Sequence, residues 1–427
     1  MIEGERIKSI FQSFEPSILR SFNPSVIDAS GLLLLPGIID DQVHFREPGL
    51  TRKGDIYSES KAAVAGGVTS FMDMPNTVPQ TITVEALNDK FDQASRQSLA
   101  NYTFFIGATN DNIEELKKEG AKRAAAVKVF MGASTGNMLV DNEHSLEQIF
   151  AESGQIIAVH CESEKVIAAN KARLIKQCGE DLDVTFHPKI RDVEACYHSS
   201  SHAVELAKKY DAHLHLFHLS TEKEISLLEA KPLNEKRITA EVCIHHLWFS
   251  DEDYAEKGNR IKWNPAIKSR TDREALRQAL IDGKIDVVAT DHAPHTWEEK
   301  QGSCFRAASG GPMVQHSLPA MLELCRQGIF TEELIVEKMA HAPAVLFGIK
   351  DRGFIREGYY ADLVLVNPNT SWTVSKDNLL YKCGWSPMEG VKFSHKVEKT
   401  FVNGRLVYDN GVFDERYRGW EIRFIQQ

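Results

Sequence analysis

Short apolar runs that end in polar residues recur along the middle of the chain, and stretches with apolar positions at helical spacing follow them. The runs are "GIIDDQVHF" (37–45), "VTSFMDM" (68–74), "NYTFFIGA" (101–108), "AAVKVFM" (125–131), "QIIAVHCE" (155–162), "HLHLFHLS" (213–220), "RITAEVCIHHL" (237–247) and "IDVVATDHAPH" (285–295). Between them, segments such as "VEALNDKFDQASRQSLA" and "DREALRQALIDG" place their apolar residues on one helix face. Strands alternating with helices predict a parallel α/β arrangement joined by right-handed crossovers. Eight such units fill a (β/α)8 TIM-type barrel of about 250 residues. The span 37–348 accommodates it with insertions.

Both ends break this rhythm. Residues 1–36 lack the strand–helix alternation, and after Gly348 the chain turns to "GYYADLVLVNP" and "KVEKTFVNGRLVYDNG". Asn403-Gly404 suits a two-residue hairpin turn. The expected organisation is a barrel over 37–348 beside a small β-sandwich built from residues 1–36 and 349–427.

Composition narrows the function classes. The 427 residues carry 50 Lys+Arg against 60 Asp+Glu, a net charge of −10 with no dense basic run, which argues against a nucleic-acid partner. No apolar stretch reaches the roughly 18 residues of a membrane span, and "MIEGERIKSIFQSF" lacks the apolar core of a signal peptide. Seven cysteines without a CxxC pair predict reduced thiols in a cytoplasmic protein, and Cys161 is expected to be core filling. A small-molecule substrate is the remaining expectation. Self-association into a homo-oligomer stays open.

The chemistry gathers where a barrel of this kind places its active site, at the C-terminal ends of the strands. His44, Lys128, His160, His218 and Asp291 fall late in five different strands or just beyond them. Singly, a strand histidine is usually a hydrogen-bonded core residue and an aspartate after a strand a helix cap. Five together point to a metal site. Lys128 lies among Val127, Val129, Phe130 and Met131, so its amine either snorkels to the rim or is desolvated toward the neutral form. A neutral amine can add carbon dioxide and become a carbamate able to bridge two ions. In "PGIIDDQVHFREPG" (36–49), Gln42 stands two residues before His44, on the same strand face.

These segments, with "MPNT" (74–77), "VKVFMGASTG" (127–136), "VHCE" (159–162), "HLS" (218–220) and "ATDHAPH" (289–295), resemble the amidohydrolase superfamily, most closely its dihydroorotase family. The resemblance runs through the barrel in order and into the C-terminal sandwich segment. It implies a zinc-dependent hydrolase of cyclic amides, with Lys128 as a carbamylated bridging lysine, His160 and His218 on one metal, and Asp291 as a proton-shuttling ligand. It further implies that Arg46 and Asn76 hold a substrate carboxylate, and that Asn264 and His295 line the substrate ring. The family pattern is Asp-x-His-x-His-x-Arg-Glu-Pro-Gly. His44 matches its second histidine, and Gln42 replaces the first. An amide oxygen binds zinc less firmly than imidazole, so the expectation is one firmly held Zn²⁺ and a weaker or absent second. The alternatives are an allantoinase or hydantoinase type of cyclic-amide hydrolase, and a non-catalytic homologue acting as an assembly partner.

The other histidines are expected to be structural. His198 and His202 lack the glutamate of an HExxH site. His213 and His215 alternate against the face of His218 and should point into the helix layer. Only one of His245 and His246 should face inward, and His292 should turn away from Asp291. The segment 295–312 reads as a solvated loop at the barrel mouth.

Overall fold

The computed structural model describes residues 1–11, 25–132 and 138–425. Part of the expected N-terminal sandwich segment (12–24) and the end of "VKVFMGASTG" (133–136) lie outside the described residues. All eight expected barrel strands form: β1 (Ile38–Val43), β2 (Val68–Asp73), β3 (Asn101–Phe104, resuming at Ile106–Gly107), β4 (Val127–Phe130), β5 (Ile157–His160), β6 (Leu214–Leu216), β7 (Ile238–Cys243) and β8 (Val287–Ala289). Each is buried over nearly its whole length, as strands covered on both faces must be. Parallel ladders run β1-β2-β3 and β3-β4-β5-β6-β7-β8. The ring closes between β8 and β1 less through a ladder than through Asp40, which accepts from Thr290 N (3.2 Å) and Thr290 Oγ1 (2.6 Å), and a single bridge of Val43 to His292.

Helices cover the outside. The first two are α1 (Ile56–Ala65), started by a capping box of Asp55 and Ser58, and α2 (Val84–Gln97), capped by Thr83. On α2, Lys90 reaches inward to lie 2.5 Å from Asp73 and 2.8 Å from the Met74 carbonyl, while Asp73 accepts from Phe45 N at 2.7 Å. This fully buried pair ties the end of β2 to the loop that carries His44 and Arg46. Methionine at position 90 would leave the carboxylate buried without its counter-charge, and a loss of about 3–5 kcal/mol is expected in urea unfolding.

Leu33–Pro36 pairs antiparallel with Leu363–Asn367, which pairs in turn with Lys396–Val402, then Arg405–Asp409 and Val412–Phe413, so both chain ends build one sheet. The hairpin turn at Asn403-Gly404 has positive φ at both residues (50° and 75°), as the sequence pair predicts. The C-terminal span does more than complete this sheet. Trp385 donates to the His295 carbonyl at the barrel mouth (2.7 Å), and near the chain's end Tyr102 of β3 donates to the Trp420 carbonyl (3.0 Å). Inside the barrel, Phe105, Phe217 and Phe347 form an aromatic plug, with ring centroids 5.6 and 6.1 Å apart.

Among the described residues no helix is long and apolar enough to cross a membrane.

Candidate metal centre and active site

One cavity of about 920 Å³ opens at the C-terminal ends of the strands, and all ten sequence-predicted residues line it: Gln42, His44, Arg46, Asn76, Lys128, His160, His218, Asn264, Asp291 and His295. Three of them, Arg46 (φ 69°), His218 (φ 40°) and Asp291 (φ 42°), hold left-handed backbone conformations, each at a cost of about 1–3 kcal/mol for such residues. Neighbours enforce the geometry. The Arg46 carbonyl accepts from Leu50 N (3.0 Å), His218 N donates to Glu241 Oε1 (3.2 Å), and Trp263 Nε1 donates to the Asp291 carbonyl (3.2 Å). In "REPG", Gly49 has φ 81°, and a Cβ there would lie 1.9 Å from the Val78 carbonyl oxygen, so the loop carrying Arg46 needs glycine.

The imidazoles form two groups. His160 Nδ1 and His218 Nε2 are 2.9 Å apart, a hydrogen-bonding distance that a shared ion would open by a few tenths of an ångström. His44 Nε2 lies 3.1 Å from Asp291 Oδ1, and its Nδ1 is 2.8 Å from Asn76 Oδ1. That amide oxygen can only accept, so His44 carries its proton on Nδ1 and offers the Nε2 lone pair toward Asp291. Burial, reinforced by His160 and Lys128, holds His218 well below the usual imidazole range, and burial lowers His44 despite Asp291. Neutral rings are the form a metal binds. His160 is backed by Glu162, 3.3 Å from its Nε2. Burial alone would raise the Glu162 carboxyl, but Arg191, then His160, hold it down to about 2. Glu162 lay inside a quoted motif without a role, and its partner Arg191 is 29 residues away with no local signal to link them.

Lys128 is buried, with its Nζ 4.0 Å above the Phe217 ring, and burial lowers its amine to about 7 against the opposing pull of Glu241 and Asp291. Gln42 faces the cavity, its Oε1 3.6 Å from Cys243 Sγ. Together the two pairs of ligands and the desolvated lysine fit a metal centre.

The cavity wall also carries cationic side chains. Arg46 donates through Nε to the Pro294 carbonyl (2.9 Å) and sits 3.1 Å from His295 Nε2; Lys53 pairs with Glu299 at 3.2 Å. The other ring nitrogen of His295, Nδ1, lies 3.1 Å from Lys53 Nζ and 3.2 Å from Glu299 Oε2. Burial, then Arg46 and Lys53, keep this ring neutral. Asn264 Oδ1 is buried with no hydrogen-bond partner among the described residues, an idle acceptor on a residue of the cavity wall. Lys53 and Glu299 were missed from sequence because neither stands in a recognisable motif.

Two structural expectations are borne out. Burial, then Glu224, push the Cys161 thiol up to about 12, which leaves it unreactive. His292 turns outward, away from Asp291, to Glu59 (2.9 Å). Three others are corrected. His215 does not enter the helix layer but lies inside the barrel, 3.4 Å from Asp41 of β1. The alternation argument fails because β6 ends at Leu216 and the backbone turns left-handed at His218, so residues three apart share the interior. The expected strand 237–247 ends at Cys243, and His245 and His246 stand, both buried, in the helical turn Ile244–Trp248 that follows it. The 295–312 segment is wedged in place: Lys300 is fully buried and donates to the carbonyls of Lys262, Ala308 and Gly310.

A barrel with a sandwich at its side and paired imidazoles, lysine and aspartate at its mouth is the layout of a metal-dependent amide hydrolase. Residues 33–407 match the Amidohydrolase family, and the chain belongs to it. It is 34% identical over 421 residues to a dihydroorotase of Methanosarcina acetivorans, covering 96% of this chain and 88% of that protein. An allantoinase of Bacillus velezensis is 31% identical over 392 residues, covering 90% and 86%. Among solved structures, the L-hydantoinase (dihydropyrimidinase) of Arthrobacter aurescens superposes with a TM-score of 0.89 at 25% identity, over 96% of this chain and 92% of that one.

Proposed function

We propose that this protein is a cytoplasmic dihydroorotase, reversibly cyclising N-carbamoyl-L-aspartate to dihydroorotate for pyrimidine biosynthesis. The observation that carries it is the make-up of one cavity: metal-ligand residue types at the strand ends share it with the buried guanidinium of Arg46. Similarity to dihydroorotases over nearly the whole chain supports the same reading.

His160, His218 and a carbamate on Lys128 would hold one zinc ion; His44, Asp291, Gln42 and the shared carbamate would hold a second. Bound there, zinc supplies a water with its pKa brought to about 7 and polarises the scissile carbonyl. Asp291 takes the proton of the attacking water and passes it to the departing ring nitrogen, the reverse transfer closing the ring. Arg46 grips the substrate carboxylate in a two-pronged contact. Asn76, its oxygen engaged by His44, turns its amide protons to the same carboxylate. Asn264 accepts from a ring N–H, and His295 keeps Arg46 aligned.

The deciding assay is dihydroorotate turnover by zinc-loaded protein, with and without bicarbonate. Turnover that rises with bicarbonate is expected. Hydrolysis of allantoin or hydantoins in place of dihydroorotate would favour the sister activity, and none on any cyclic amide would favour the assembly partner.

Gln42 makes a separate prediction. Anomalous diffraction at the zinc edge after mild chelation should show strong density between His160 and His218 and weaker density beside His44 and Asp291. Gln42→His should raise the weaker peak; equal peaks in the unaltered chain would remove any special role for the amide.

A further inference from the structure

Deeper in the barrel, between the aromatic plug and the strand ends, lies a second cluster of ligating side chains. Asp41 of β1, His215 of β6 and Glu241 of β7 each bring a donor atom within 4.8 Å of the others, and all three are fully buried. None of the three lines the cavity above. Its floor side is hydrophobic: the His215 ring centroid is 5.2 Å from that of Phe217 and 5.8 Å from that of Phe347.

Hydrogen bonding leaves this group incomplete. Among the described residues, both oxygens of Asp41, Oε2 of Glu241 and Nε2 of His215 have no hydrogen-bond partner. The remaining atoms are engaged. Glu241 Oε1 accepts from His218 N and from Cys243 Sγ, both at 3.2 Å. The Thr239 hydroxyl donates to the Leu214 carbonyl (3.2 Å) and therefore accepts from His215 Nδ1 (2.9 Å). In the neutral ring this places a lone pair, not a proton, on Nε2. That lone pair faces two carboxyl groups, an arrangement that repels unless a cation or a shared proton lies between them. An N–H donated to a neighbour and a free nitrogen aimed at carboxylates is how a metal-binding histidine is set.

Spacing agrees with this. His215 Nε2 is 3.4 Å from Asp41 Oδ2 and 4.0 Å from Glu241 Oε2. Both are long for a hydrogen bond. Ligands about 2.0–2.2 Å from a tetrahedral ion stand roughly 3.3–3.6 Å apart, so the first separation already matches and the second needs only a small side-chain adjustment.

We propose that Asp41, His215 and Glu241 bind a divalent transition-metal ion, zinc or manganese, at a site distinct from that of His44, Lys128, His160, His218 and Asp291. Two carboxylates and one imidazole are a donor set for such ions. The ion ties β1, β6 and β7 together across the barrel and, through the other oxygen of Glu241, braces the backbone of His218. Asp41 directly precedes Gln42, so this second site sits beneath the weakened corner of the first.

The test is an anomalous difference map of the full-length protein crystallised with zinc chloride or manganese chloride, collected at the metal edge. A peak among the three side chains is expected. It should vanish in Asp41→Asn and His215→Gln, each with one metal ion fewer per chain by elemental analysis, and persist in His160→Ala. A map with density at His160 and His218 but none among Asp41, His215 and Glu241 overturns the proposal, as does a peak that survives Asp41→Asn. The first result would assign a proton on His215, or one shared by the carboxylates, to the place of the ion. If the variants fail to fold, the map of the unaltered chain decides alone. Absence of dihydroorotate turnover leaves this test untouched, because it reads a position and not an activity.

Discussion

Asp291→Asn is expected to lower dihydroorotate turnover by about 10²–10⁴-fold, the range lost with a general acid–base group, and to leave the zinc proposed at His160 and His218 in place. Asp291 is the carboxylate beside His44, held by a left-handed backbone and by Trp263 on its carbonyl. Asparagine matches the shape, but its amide cannot carry a proton from water to the ring nitrogen. The check combines kcat in both directions with zinc content. A variant that keeps its metal and its kcat would remove Asp291 from the proton path.

Arg46→Ala is expected to lower kcat/KM for dihydroorotate by about 10²–10⁴-fold, since each hydrogen bond to a charged group contributes roughly 1.5–3 kcal/mol. Arg46→Lys should recover little of this, because an ammonium cannot reproduce the fork. The side chain also braces the Pro294 carbonyl and His295, so general damage must be separated from loss of the carboxylate grip. Dihydrouracil, the same ring without the carboxylate, makes that separation. Its turnover, however low, should change little in Arg46→Ala. A parallel fall on both substrates would show that Arg46 props up the site without reading the carboxylate.

The barrel was legible because its strands are buried on both faces and announce themselves as apolar runs, and because each ends in a polar residue with chemical purpose. The site was legible for the same reason: His44, His160, His218 and Asp291 stand at the strand ends, whose position the alternation reveals. Reading failed where the backbone leaves strand geometry. The left-handed turn at His218 lets His218 and His215 share the interior, and the helical turn after Cys243 takes His245 and His246 out of strand alternation. It failed again for partners distant in sequence. Nothing local announces that Glu162 answers to Arg191, or that Asp41 and Glu241, 200 positions apart, share one buried space. The 295–312 segment misled through composition, because its polar residues satisfy carbonyls inside the fold.

The sheet shared by both chain ends bears on how the protein is made. Leu35 finds its partner, Val364, more than three hundred residues later. During synthesis that strand has no partner until the span after the barrel has been made. A late folding step, set by this long-range pairing, is the expected consequence.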